Sequence, residues 1–161
     1  MAEQSQTVVR GLMRTDVPTV GPDTSVTSIA RLMTDRRCSE VVVTDTAGGV
    51  VGVITAADLV AKHAQPHLPT YFSLLGYSFA LDADQTEREL QRALAAKASD
   101  LMSRSVVTTT PDTAIDAAAT VMLDRHVSCL PVVEDGRLVG ILDENDIVRL
   151  LVVEERDDQP S

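Results

Sequence analysis

The chain lacks tryptophan and has only four aromatic residues, two cysteines and 14 Lys and Arg against 24 Asp and Glu. Each shortage excludes something. Cys38 and Cys129 fit neither a zinc-ligand spacing nor a disulfide framework, so they read as thiols of a reducing cytoplasm. A formal net charge of −10 argues against a nucleic-acid surface, because phosphate backbones are held chiefly by basic patches. It does not exclude a small anionic ligand, which needs only a few local donors. No run approaches the roughly 18 apolar residues of a membrane helix, and the start MAEQSQTVVRG lacks a charged segment followed by an apolar block. The expectation is a soluble, cytoplasmic protein that binds neither membrane nor nucleic acid. The three histidines, His63, His67 and His126, are scattered and form no Ser/His/Asp or Cys/His order. His63 and His67 are four apart, but Pro66 and Pro69 interrupt any helix that would aim both at a metal. Neither an enzyme nor a metal site is expected.

A length of 161 residues with 44% apolar content suits one domain or two small ones with an ordinary core. Shifting the chain by 89 places Leu12-Met13 on Leu101-Met102, Pro22-Asp23-Thr24 on Pro111-Asp112-Thr113, Met33 on Met122 and Ser39 on Ser128. Beyond the turn the shift becomes 88, bringing Gly52 onto Gly140 and Asp58 onto Asp146. A one-residue difference in a glycine-containing turn is what a loop tolerates.

Each copy contains the same elements in the same order. A short extended piece (Thr19-Val20; Val107 to Thr109) precedes Pro-Asp-Thr and a helix with an apolar stripe. That stripe is Val26, Ile29, Ala30 and Met33 in one copy, and Ile115, Ala118, Ala119 and Met122 in the other. Two strands follow, Val41 to Thr44 and Val50 to Ile54, or Leu130 to Val133 and Leu138 to Leu142, joined as a hairpin through a glycine turn. The second strand runs into a helix. Thr55 and Asp58 mark its start in the first copy, Asp143 and Asp146 in the second. The fold class is α+β, with two β-α-β-β-α repeats. Each is too small to bury both faces of its sheet, so the two pack together.

Thr55-x-x-Asp58 has the spacing of a capping box, which satisfies orphan N–H groups at a helix start. The same geometry suits a ligand, since free N–H groups and the positive end of the helix dipole attract an anion while a carboxylate accepts from ribose hydroxyls. The two readings are compatible. The expected organisation is a first repeat with an N-terminal arm over 1–64, an insertion over 65–97, a second repeat over 98–155 and an acidic tail over 156–161. The insertion holds all four aromatics, Tyr71, Phe72, Tyr77 and Phe79, and then a helix start at Asp84 and Glu87 continued by Leu90 and Leu94. Its aromatics either pack onto their own module or form a contact surface for a second subunit or a lid over a cleft.

The paired pattern LM, PD(T), A, M, S, (LPVV), VG(I) and D, in the same order in both copies with the bracketed residues varying, resembles the cystathionine β-synthase (CBS) domain family over about residues 8–63 and 97–153. The resemblance implies two repeats docked through their sheets about a pseudo-twofold axis, with two clefts and a disc-like homodimer. It also implies binding of AMP, ADP, ATP or S-adenosylmethionine, a role such as energy sensing, and regulation of a partner protein.

Carried over by residue, the resemblance implies a first cleft formed by Thr19, Val20, Val41, Val42, Thr55 and Asp58, with Asp58 on the ribose and Thr55 near the ribose or first phosphate. The family's Leu-Pro is absent at Val41-Val42. The second cleft is expected from Thr108, Val127, Leu130, Pro131 and Asp146. There Asp143 stands in place of Thr55 and repels a phosphate, so the second cleft is expected to be the weaker, or to take an uncharged adenosine group or a cation-bridged phosphate. Arg36, Arg37, Arg125 and His126 are candidate phosphate contacts, or simply dipole partners at helix ends. The competing functional reading is a ligand-free dimerisation or docking module.

Overall fold

A computed structural model describes residues 7–63, 71–74, 77–80 and 96–157. The expected helix start at Asp84 and Glu87, the leucines after it, His67 and residues 158–161 lie outside these. The order is α1 (Val9–Leu12), β1 (Thr19–Val20), α2 (Val26–Arg36), β2 (Glu40–Thr44), β3 (Val50–Thr55), α3 (Ala56–His63), β4 (Tyr71–Leu74) and β5 (Tyr77–Ala80). There follow α4 (Ala98–Leu101), α5 (Ile115–Arg125), β6 (Cys129–Glu134), β7 (Arg137–Asp143) and α6 (Glu144–Asp157). In the first repeat β1 runs parallel to β2, and β2 pairs antiparallel with β3. In the second, β6 and β7 form the hairpin, while the expected strand at 107–109 is reduced to one parallel bridge from Thr109 to Val132. Backbone pairing joins β4 to β5 with Phe72 opposite Phe79.

Local chemistry explains the boundaries. Ser25 caps α2 by accepting the Ser28 N–H at 3.2 Å. Arg37 and His126 end α2 and α5 in the left-handed region, at φ 51° and 53°. Asp135-Gly136, both at positive φ, make the tight β6–β7 turn. The longer β2–β3 turn closes on Asp45, whose Oδ1 accepts from Ala47 and Gly49 N–H at 2.9 and 2.8 Å. Of the expected stripe on α2, Val26, Ile29 and Met33 are buried, whereas Ala30 is exposed. A methyl group at the margin of the stripe loses little by facing water.

Strand alternation divides the core into three layers. Val41 and Val43 pack with Ile29, Met33 and Ile54 on the helical side of the first repeat. Leu130, Val132 and Leu142 pack with Ile115, Ala118 and Met122 in the second. Val42 and Val53 face the other way and meet Cys129 and Ile141, so the two sheets share a central layer.

The short helices cross over. Val9 of α1 is buried in the core of the second repeat, and its N–H donates to the Thr113 carbonyl at 2.9 Å. Ala98 and Met102, at α4, are buried in the core of the first, where the Ala98 N–H donates to the Thr24 carbonyl at 2.8 Å. Each half is thus completed by a segment from the other half of the sequence, and the sequence boundaries at 64 and 98 are not boundaries of the packed cores.

Two equivalent glycines show how tightly these crossings pack. A Cβ on Gly52 would overlap the Met102 sulfur, and one on Gly140 would lie 2.7 Å from the Met13 sulfur and 3.1 Å from the Arg14 carbonyl oxygen. At Gly52 the overlap reaches back along the side chain to Met102 Cγ and Cβ, at 2.8 and 2.9 Å, so turning the sulfur does not relieve it; at Gly140 the neighbouring carbonyl is held in a backbone bridge. Gly52→Ala and Gly140→Ala should therefore each lower unfolding stability by about 1–3 kcal/mol. Urea denaturation of both variants checks this; an unchanged midpoint in either contradicts it.

Candidate ligand cleft

Thr55 ends β3 and Asp58 lies in the first turn of α3. The Asp58 Oδ2 accepts the Thr55 N–H at 2.7 Å and the Thr55 hydroxyl at 2.8 Å, while the Asp58 N–H donates to Thr55 Oγ1 at 3.3 Å. This is a complete capping box. Its second oxygen, Oδ1, has no hydrogen bond to another described residue, and Asp58 is only half-buried. Thr55 and Asp58, with Val53 and Ala57, border a cavity of about 500 Å³ whose other walls come from the second repeat. Val106 and Val107, Val127 and Pro131 supply apolar surface, and Ser103, Ser105, Ser128, His126 and Glu144 supply polar groups. Cys129 lies in the same lining; burial, with the charges of Glu40 and Asp143, pushes its thiol up to about 12, so it stays protonated and unreactive.

The twofold-related position is built differently. Under the internal shifts Ser103, Cys129, Thr55 and Asp58 correspond to Arg14, Glu40, Asp143 and Asp146. The Arg14 Nη2 donates to Glu40 Oε1 and Asp143 Oδ2, both at 2.6 Å, and its Nε approaches Asp146 Oδ2 at 3.4 Å. Asp143 and Asp146 also cap α6, through Asp143 N–H to Asp146 Oδ2 at 3.0 Å and Asp146 N–H to Asp143 Oδ1 at 2.9 Å. The Asp146 side chain is only 3% exposed and that of Arg14 33%. The Arg14 guanidinium thus stands against the carboxylate that corresponds to Asp58. A pocket of about 420 Å³ lies beside it, lined by Arg14, Asp16, Pro18, Arg36 and Cys38.

One guanidinium against three carboxylates leaves a negative excess. Arg149 offers a second cation from the surface, its Nη1 3.4 Å from Asp146 Oδ1. Burial, reinforced by the neighbouring Asp143 charge and opposed by Arg14, raises the Glu40 pKa above the usual carboxylate range. For Arg14, burial opposes the charge, but Glu40, Asp143 and Asp146 outweigh it and hold the pKa above its ordinary value.

Residues 9–64 and 98–153 both match the CBS domain model. The chain belongs to the CBS domain family. The uncharacterized protein MJ1426 of Methanocaldococcus jannaschii is 30% identical over 155 residues, 90% of this chain and 91% of that one. A homoserine O-acetyltransferase of Methanococcoides burtonii is 36% identical over 129 residues, 78% of this chain, and there the match spans only 24% of the relative. Among solved structures, the CBS domain pair of MJ0100 in complex with 5′-methylthioadenosine and S-adenosyl-L-methionine is similar at a TM-score of 0.71 and 23% identity, covering 92% of this chain and 98% of that one. Arabidopsis thaliana CBSX2 in complex with AMP is similar at 0.70 and 24%, with the same coverage. These likenesses establish the fold as that of a CBS pair.

Within this CBS pair the site residues expected from the sequence are distributed across both halves. Val127 and Pro131, expected beside Asp146, line the open cleft with Thr55 and Asp58. Asp146 lies in the Arg14 cluster instead. The regrouping follows from the facing sheets, which put the start of α3 over the second repeat rather than over its own. Val41 and Leu130 are fully buried in the two helical cores, and Val42 in the central layer, so their side chains reach neither cleft. Val20 packs against the first core, and Thr19 and Thr108 are exposed outside the cavity lining. His126 reaches the open cleft; Arg36 pairs with Asp16 at 2.7 Å, while Arg37 and Arg125 are exposed. Arg14 and Glu40 went unnoticed in the sequence, although the internal shift sets these two charged residues against Ser103 and Cys129. No described helix is long and apolar enough to cross a membrane.

Replacing Arg14 by methionine keeps much of its length but removes the cation. Three carboxylates are then left facing one another, and stability at pH 7 should fall by about 3 kcal/mol, the lower end for a broken buried pair because part of Arg14 meets water. Glu40 already has a raised folded-state pKa, and such a group contributes stability below the usual carboxylate range that is lost as pH rises through the raised value. The deficit of Arg14→Met should therefore shrink as pH falls from 7 toward 4. Thermal denaturation across that range checks this, and a deficit independent of pH refutes it.

Proposed function

We propose that this CBS pair is a regulatory sensor that binds one adenosine-containing molecule per chain (AMP, ADP, ATP or S-adenosylmethionine) in the open cleft and modulates a partner protein. The observation that carries this is Asp58: a half-buried carboxylate, fixed by its capping box, with one oxygen that no other described residue hydrogen-bonds, beside a cavity of about 500 Å³. That volume is in the range of small-molecule sites. In this reading Oδ1 accepts from the ribose hydroxyls and the Thr55 hydroxyl lies close to the same sugar. Val127 and Pro131 flank the base, and His126 stands toward the 5′ substituent. The complexes of MJ0100 and CBSX2 with adenosine ligands support the ligand class.

The cleft draws walls from both repeats, so a bound molecule bears on how they sit together. Regulation then requires that the ligand favour one arrangement over another, since affinity alone shifts nothing. The reading is not enzymatic. Cytoplasmic location, with Cys38 and Cys129 as free thiols, is part of it. So is homodimerisation: Val60 of α3 and Val148 of α6, equivalent under the internal shift, are 65% and 57% exposed and offer an apolar face.

Isothermal titration of the chain with AMP, ATP and S-adenosylmethionine should give binding with a stoichiometry near one for at least one of them. Asp58→Asn should weaken it by about tenfold or more, as expected for lost hydrogen bonds to a charged acceptor worth about 1.5–3 kcal/mol. Unchanged affinity in Asp58→Asn, in a variant whose circular dichroism matches the parent, removes the ribose contact. Absence of binding by all three leaves the docking module. Light scattering should find a dimer that Val60→Asp with Val148→Asp dissociates; a monomeric parent contradicts the assembly.

A further inference from the structure

Charge is distributed unevenly around the open cleft. Among the described residues that line it, Asp58 and Glu144 are carboxylates, His126 is the one basic side chain, and there is no lysine or arginine. The other polar groups there, such as Ser103, Ser105 and Ser128, are neutral. Arg104 donates to the Ser99 carbonyl at 3.2 Å, and Arg14, whose equivalent in this cleft is Ser103, is held by Glu40 and Asp143. Arg125, next to His126, is exposed and outside the lining. The positive end of α3 is met by its own Asp58, which accepts the Thr55 N–H at 2.7 Å.

The Arg14 cleft adds an independent observation. There the carboxylate equivalent to Asp58, that of Asp146, stands 3.4 Å from a cation, the Arg14 guanidinium. The chain has thus placed positive charge against this helix start once already, and the open copy keeps the carboxylate without the arginine.

We infer that the open cleft selects adenosine ligands whose 5′ substituent is uncharged or cationic, such as a thioether or a sulfonium, over nucleoside di- and triphosphates. The inference rests on the adenosine reading above and specifies it. A polyphosphate entering this cleft meets two carboxylates and a chain of net charge −10, with His126 the one basic side chain among the described residues of the lining. A thioether meets no such penalty, and a sulfonium is attracted by Asp58 and Glu144. The serine hydroxyls serve a neutral or zwitterionic tail as donors and acceptors.

Titration of the full chain at low ionic strength with 5′-methylthioadenosine, S-adenosylmethionine, AMP and magnesium-free ATP tests this. At least one of the first two should bind roughly tenfold or more tightly than ATP. Added salt should narrow the gap, and so should Glu144→Gln. AMP or ATP binding as tightly as, or more tightly than, both others overturns the charge selection while leaving the adenosine reading in place. A gap insensitive to both salt and Glu144→Gln also overturns it, by making shape the cause. Failure of all four to bind overturns both.

Discussion

Arg14 donates to carboxylates from β2 and β7, Glu40 and Asp143, and lies against Asp146 at the start of α6, so one side chain joins the two repeats at their seam. Its backbone is fixed by a mutual pair of hydrogen bonds with Ile141, each 2.9 Å. Taking a guanidinium and three carboxylates out of water is costly, and the cost is met only because every member has close partners. Among the described residues no buried side-chain nitrogen or oxygen lacks one. The interaction is therefore poorly explained as a source of stability and better explained by what it occupies. The same backbone bridge on the other side joins Val53 to Ser103, and there the small serine leaves space. Three charged residues in place of Ser103, Cys129 and Thr55 put an arginine held among carboxylates into one of two equivalent clefts.

That asymmetry sits on a scaffold whose halves are interdependent. Because α1 and α4 each complete the opposite core, and Val42, Val53, Cys129 and Ile141 form a shared layer, neither repeat is finished without the other. The open cleft is likewise shared, with its carboxylate from one repeat and its apolar wall from the other. A ligand there touches the two bodies that the central layer holds together, which is the geometry a sensor needs.

Much of this is legible in the sequence. The internal shift of 89 and then 88 identifies the repeats, the alternating strands and the equivalence of Asp58 with Asp146. The Thr55–Asp58 spacing announces the capping box found between them. Periodicity does not say which repeat's wall a helix start overhangs, because it describes each element's own faces and not the pairing of faces across the chain. Hence Asp58 meets Val127 and Pro131 rather than Val41 and Val42, whose side chains are spent on the core. Asp143 looked like a repulsive charge because its neutralising partner, Arg14, lies 129 residues away. Ion pairs at such separations follow only from the fold.

The most direct test of a duplicated scaffold with one cleft free of arginine and one held by Arg14 is an electron-density map of crystals grown with saturating S-adenosylmethionine or AMP. The account predicts density in one cleft per chain, its ribose on Asp58, with Arg14 still bound to Glu40 and Asp143. Density beside Asp146 with Arg14 displaced, or an Asp58 cleft empty while the ligand sits elsewhere, would contradict it.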